Sequence, residues 1–159
     1  MIYKVRPMQH IDIDKVYEIE VMAHRAPWGR GILSDCVTVG YDCRLLEVGD
    51  ESSLELASYI ICRYHDSVCH ILNLCVLPKL QQKGLGQMLL QDVLNFPADK
   101  RTKCFVLEVR PSNIPALQLY YKLGFQQIGI KPGYYIDGES IEDAIVLEKV
   151  IKYLISILE

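Results

Sequence analysis

The 159-residue chain has no C-x-x-C pair, no block of five or more like charges, and no apolar run near the ~20 residues that a membrane span requires. Each absence removes a class of function. Without a charge block, and with 17 basic against 20 acidic residues for a net charge of −3, there is no electrostatic footprint for general nucleic-acid binding. A mildly acidic surface is permissive for a basic peptide partner. The Cys62-to-Cys69 and His65-to-His70 intervals match no usual zinc spacing, so no metal is expected. The N-terminus lacks the cationic-then-apolar order of a secretory signal, and a soluble, cytoplasmic protein with no membrane association is expected.

What is present is core-forming material. Half of the residues are hydrophobic, enough for a sizeable core in a chain too short for cores to divide. One domain is expected over residues 1–149, with a tail over 150–159 that fits a strand end or a short amphipathic helix equally well. The six cysteines, Cys36, Cys43, Cys62, Cys69, Cys75 and Cys104, lie mostly inside apolar runs, where a thiol packs as a small hydrophobe. That usage suits a reducing compartment.

Periodicity supplies the elements. Ile2 to Arg6 alternates like a strand and stops at Pro7, and Ile11, Ile13, Val16, Ile19 and Met22 then recur at helical intervals. Ala26-Pro27-Trp28-Gly29 breaks that helix, and the stretch toward Gly40 reads as helix or loop. Arg44–Val48, Leu54–Arg63 and His70–Val76 read as strands, the first two joined by a polar turn. Leu85, Met88, Leu89 and Val93 mark one face of a helix that closes before Pro97. Cys104–Val109 is a buried strand, and a helix follows from near Pro115 to Gly124, with Leu117, Leu119-Tyr120 and Leu123 as its apolar face. Strands over Phe125–Ile130 and Asp143–Glu148 flank a turn at Asp137-Gly138. The order β-α-(α)-β-β-β-α-β-α-β-β describes an α/β fold with a mixed, mostly antiparallel twisted sheet flanked by helices.

One junction carries chemistry. Gln81-Gln82-Lys83-Gly84-Leu85-Gly86 follows a strand and opens a helix, where backbone N–H groups lacking helical partners can face an anion. Gly84 and Gly86 have no Cβ, which permits a sharp turn and close approach of a pyrophosphate, and Lys83 adds a cation. A lone G-x-G is more often an ordinary turn. This one lacks the third glycine of a Rossmann fingerprint and the G-K-[ST] of a P-loop. The wider context decides: Asn73-Leu74-Cys75-Val76-Leu77-Pro78 followed by Gln81-x-x-Gly84-x-Gly86 resembles the acetyl-CoA motif Q/R-x-x-G-x-G/A of the GNAT superfamily. Leu107-Glu108-Val109-Arg110-Pro111-Ser112-Asn113 and Leu119 to Phe125 resemble its second half, in particular the RimI-type branch, the ribosomal-protein N-terminal alanine acetyltransferases. The resemblance extends to His24–Trp28, to Tyr134-Tyr135 and to Glu142-Asp143-Ala144, and ends near Lys149.

The resemblance implies an acetyl-CoA-dependent N-acetyltransferase without a metal. It assigns the backbone of Leu74, Cys75 and Val76 to the acetyl and pantetheine arm, amides from Gln82, Lys83, Gly84, Leu85, Gly86 and Gln87 to the pyrophosphate, and Asn113 to a further cofactor contact. Relatives often place Arg where this chain has Gln82, which removes a charge contact that Lys83 replaces in part. His24, Trp28, Tyr134 and Tyr135 fall on the acceptor side. Glu108 is implied as general base through water and Tyr120 as general acid, in direct transfer with no covalent enzyme intermediate. From the residues alone, other accounts stand beside these. Glu108 is the only acid in an apolar strand and fits a salt bridge with Arg110 or a solvent-facing strand end. Tyr120 and Trp28 fit as core aromatics, and Asn113 as a helix cap. The acceptor is expected to be a protein N-terminus, with an N-terminal alanine of a ribosomal protein foremost. A lysine, a small amine, or a non-catalytic CoA-binding module are the alternatives, and oligomeric state is left open.

Overall fold

The computed structural model describes residues 1–151. Its strands and helices run in the expected order: β1 (Ile2–Pro7), α1 (Ile13–Ala23), α2 (Arg30–Thr38), β2 (Asp42–Asp50), β3 (Ser53–His65), β4 (Val68–Val76), α3 (Leu85–Asn95), β5 (Cys104–Val109), α4 (Ile114–Lys122), β6 (Gln126–Asp137) and β7 (Ser140–Val150). The strands form one seven-stranded sheet in the order β1-β2-β3-β4-β5-β7-β6. Val150, the first residue of the expected tail, is still strand, and residues 152–159 lie outside the described residues.

Contacts divide the chain into two compact units, Met1–Arg63 with Ile71–Ala98, and Tyr64–His70 with Asp99 onward. In the first, β2 lies antiparallel between β1 and β3. The middle of β3, Ala57 to Cys62, is buried without interruption, as a strand covered on both faces must be. Leu45, Tyr59, Ile61 and Cys75 join Ile13, Val16 and Ile19 of α1 and Leu33 and Cys36 of α2 in one core. On the other face α3 buries Leu85, Leu89, Leu90 and Val93, and Arg44 of β2 reaches Asp92 at 2.8 Å and the Phe96 carbonyl at 2.7 Å. Each fully buried leucine or isoleucine contributes about 1.5–3 kcal/mol.

Some expected core positions are corrected. Ile11 and Met22 are exposed, and the buried stripe of α1 is Ile13, Val16, Ile19 and Glu20. Met88 is exposed on α3, and Leu90 takes its place in the core. The segment after Gly29 is a helix.

In the second unit β5 runs parallel to the start of β4, from Val68↔Cys104 to His70↔Val106, and antiparallel to β7 along its whole length. Phe105, Leu107 and Val109 are buried while the residues between them are half-buried, the period-two pattern of a strand with one face on the core. Tyr120, Phe125, Ala144 and Leu147 complete that core. Gly124 ends α4 at φ +95, a left-handed conformation, and a Cβ there would meet Lys149 Nζ at 2.8 Å. That ammonium donates to the Leu123 carbonyl at 2.7 Å, closing the helix C-terminus with a cation.

Candidate active site

The anion cradle is built where β4 ends. A single 3-10 turn over Pro78–Leu80 leads to Gln82 at φ +62 and Gly84 at φ +80, and α3 begins at Leu85. No side chain caps α3, whereas Asn113 caps α4 by accepting from the Ala116 amide at 3.3 Å. The positive end of an 11-residue helix therefore presents first-turn amides such as those of Leu85 and Gly86 without a side-chain partner. A Cβ on Gly84 would meet nothing within 4 Å, so that glycine answers to backbone conformation; a Cβ on Gly86 would press on Val76 Cγ2 at 3.2 Å, so that one answers to close packing. Lys83 is exposed beside the turn. The Gln81 side chain donates to the Val76 carbonyl at 3.2 Å and ties the loop back to the strand. These features fit a diphosphate.

The residues of β4 assigned to the acyl arm sort by face. Leu74 and Val76 are half-buried, while the Cys75 side chain belongs to the core and its carbonyl accepts from Ser58 Oγ at 2.7 Å. Burial pushes the Cys75 thiol up to about 12, with the nearby Glu20 charge acting the same way against a hydrogen bond to Tyr59. It pushes Cys43 to about 12 as well. A thiol that does not ionise at neutral pH is no acyl-accepting nucleophile, in keeping with direct transfer.

In the second unit Glu108 projects from β5 with its side chain 8% exposed. Its partner is not Arg110, as spacing had suggested: His70 Nε2 lies 2.6 Å from Oε2, and Lys131 Nζ donates to Oε1 at 2.7 Å. Burial raises the Glu108 pKa, but the hydrogen bonds from His70 and Lys131 outweigh it and bring the carboxyl down to about 2. Arg110 turns instead to Asp137 at 3.0 Å and Glu142 at 3.3 Å and lies 4.2 Å over the Tyr135 ring. Tyr134 and Tyr135 meet edge to face at 4.9 Å, with the Lys131 ammonium 5.3 Å from the Tyr134 centroid. Tyr120 is buried, packs edge-on against Phe125, and its pKa is raised by burial and then by Tyr135, so the phenol keeps its proton. The structure thus brings Glu108 together with Lys131 and the tyrosine pair.

The His24–Trp28 loop carries an unforeseen feature. Glu20, 1% exposed in the last turn of α1, accepts from the Trp28 amide at 2.9 Å, from Tyr59 Oη at 2.5 Å and from Asn73 Nδ2 at 2.8 Å, with His24 Nε2 3.5 Å away. Glu20 and His70 are functional candidates that sequence reasoning missed. The 13-16-20 spacing puts Glu20 on the apolar stripe of α1, whereas His70 has no local signal.

The glycine turn between β4 and α3 in the first unit and the ion-paired carboxylate on β5 in the second each fit an acyl-CoA-using transferase with an α/β fold. The model of the Acetyltransferase (GNAT) family matches residues 13–125, and the chain belongs to that family. It is similar to the ribosomal protein bS18-alanine N-acetyltransferases of Haemophilus influenzae, 30% identical over 82% of this chain and 86% of that one, and of Salmonella typhimurium, 30% identical over 86% and 89%. The crystal structure of the ribosomal-protein-S18-alanine N-acetyltransferase from Escherichia coli superposes with a TM-score of 0.84 at 27% identity, covering 94% of each chain. The chain is an N-acetyltransferase of GNAT type, with acetyl-CoA as the acyl donor. Among the described residues no group of three His, Cys, Asp or Glu could hold a metal ion, and no helix is long and apolar enough to cross a membrane.

Proposed function

We propose that this enzyme acetylates the α-amine of a protein N-terminus, with alanine first, and that its acceptor is a cytoplasmic ribosomal protein of the bS18 kind. The observation that carries the reading is the set of relatives bearing that activity in their names, at 30% identity over more than four-fifths of this chain. The edge-to-face pair Tyr134 and Tyr135 on the expected acceptor side supports it, since aromatic walls suit a small first side chain with an extended backbone behind it.

The amine nitrogen attacks the thioester carbonyl, the C–S bond breaks, and the amine's proton is carried in net to the CoA sulfur. Amides from Gln82 to Gln87 and the backbone of Leu74 to Val76 hold acetyl-CoA, with a backbone N–H near Val76 supplying the oxyanion donor. Asn113 spends its Oδ1 on the cap of α4 and contributes through its amide nitrogen. Glu108 is a carboxylate at every working pH and a weak base. It accepts a hydrogen bond from the amine or from a water beside it. That is enough for an α-amine, about a tenth of which is neutral at pH 7, and too little for a lysine, of which under ~0.1% is. Tyr120 stays protonated and donates to the departing thiolate.

A basic peptide beginning with Ala, free or blocked at its N-terminus, tests the reading, with the added acetyl group located by fragmentation. The free peptide should be modified at its α-amine. If the blocked peptide reacts as fast through a lysine, the N-terminal assignment fails.

A further inference from the structure

The buried carboxylate of Glu20 has no part in the acyl transfer described above, yet its surroundings are built around it. A carboxylate in the last turn of a helix faces the negative end of the helix dipole, and burial adds a desolvation cost, so it persists there only where donors converge. At Glu20 they do. Tyr59 on β3 and Asn73 on β4 both donate to Oε1, and His24 approaches the same oxygen. Burial, reinforced by the neighbouring Cys75 and Glu20, raises the Tyr59 pKa and keeps that phenol a donor. Oε2 takes the backbone N–H of Trp28, eight residues on, and the backbone carbonyl of Glu20 takes the N–H of His24 at 3.1 Å. One residue therefore holds both ends of the segment His24–Trp28, and strands β3 and β4 hold that residue.

We infer that Glu20 is a positioning residue which fixes the His24–Trp28 loop for binding of the acceptor. The inference rests on the assignment of that loop to the acceptor side, and it concerns acceptor affinity alone. The four partners are not equivalent. Tyr59 can rotate its hydroxyl to accept, Asn73 can turn its amide, and His24 can change tautomer, but the Trp28 amide can only donate. A glutamine at position 20 keeps an oxygen for Trp28 and presents its NH₂ to groups able to reverse. A leucine of similar volume releases the loop and strands the buried donors.

The test is steady-state kinetics with acetyl-CoA and the Ala-starting peptide, read beside acrylamide quenching of Trp28, the only tryptophan in the chain. Glu20→Leu should raise the peptide KM about tenfold or more, the loss of one buried hydrogen bond, leave the acetyl-CoA KM unchanged, and make Trp28 more quenchable. Glu20→Gln should stay near wild type in all three. If the leucine variant does not fold, Glu20→Asp decides, since it keeps the charge but is one methylene too short to reach the Trp28 amide, and it should raise the peptide KM alone. A wild-type peptide KM in the loop-released variant overturns the inference. So does an equal rise in both KM values, or a glutamine variant as impaired as leucine. Whether the wild-type enzyme modifies the α-amine or a lysine is judged separately by the blocked peptide, so failure of the acceptor assignment and failure of the loop tie are read from different measurements.

Discussion

Replacing Glu108 by Gln removes one negative charge from beneath His70 and Lys131 while keeping the side chain's shape, and its cost can be worked from the geometry. The carboxyl is lowered from 4.5 to about 2, burial acting against the His70 and Lys131 hydrogen bonds and losing to them. At about 1.4 kcal/mol per unit, that difference is worth about 3 kcal/mol of folding free energy at neutral pH. The loss should come nearer 2 kcal/mol, because Lys131 is half exposed and can rehydrate, and the amide oxygen can still accept from one of the two donors. Because the folded pKa is depressed, this stability is fully present above the unfolded value of 4.5 and is lost as pH falls toward 2. The difference in urea-unfolding free energy between wild type and variant should be flat from about pH 7 to 5, and more than half of it should be gone by about pH 3. Under the proposed mechanism the same ionisation sets the kinetics. A base tuned near neutrality would make the variant's defect vary with pH; a carboxylate ionised throughout predicts a constant loss, about 10²-fold in kcat, over about pH 6 to 9. A wild-type to variant rate ratio that falls as pH drops through that range, or a stability difference under about 0.5 kcal/mol at pH 7, refutes the reasoning.

Gly84→Val forces a β-branched residue into a φ of +80 with open space around its Cβ, so the effect is backbone strain of about 1–2 kcal/mol and acetyl-CoA affinity should fall roughly 5- to 30-fold by calorimetry, with or without a chelator. Undiminished affinity would displace the cradle from this loop, and a chelator-dependent loss would bring in a metal. Tyr120→Phe keeps the ring against Phe125 and should lower kcat by about 10²-fold with little change in either KM, and wild-type turnover would remove Tyr120 from the proton path.

Much of this architecture could be read from residue order because its signals are local. The strand Cys104–Val109 and the start of α3 at Leu85 stand where the apolar runs and the glycine turn put them. Helix α2 was undecidable because only Leu33 and Cys36 are buried and Gly31 in its first turn lowers the helix propensity. Strands β6 and β7 run well beyond their apolar cores, since Ile128, Ile130, Ile136 and Ile141 are exposed and the pairing is irregular between Lys131 and Tyr135. The cradle was legible as a motif. The environment of Glu108 was not, because its partners lie 38 and 23 residues away in sequence and only the folded sheet brings them to it.

Under the roles proposed for them, the two buried carboxylates divide chemistry from scaffolding in a way that residue type alone does not. At Glu20 the hydrogen-bond partners are a phenol, an amide and a backbone N–H, with His24 Nε2 3.5 Å away, and the side chain is enclosed to 1% exposure, so it stands inside the core rather than at its edge. At Glu108 the ammonium of Lys131 is half exposed and His70 is about a quarter exposed, so the ion pair stands at an accessible edge. An amine or a bridging water can approach that carboxylate without dismantling the core. The same two donors, His70 and Lys131, also hold its carboxyl down to about 2, so under the proposed mechanism rate comes from orienting an amine of which about a tenth is already neutral. This condition favours an α-amine over a lysine, on grounds independent of the names of the relatives.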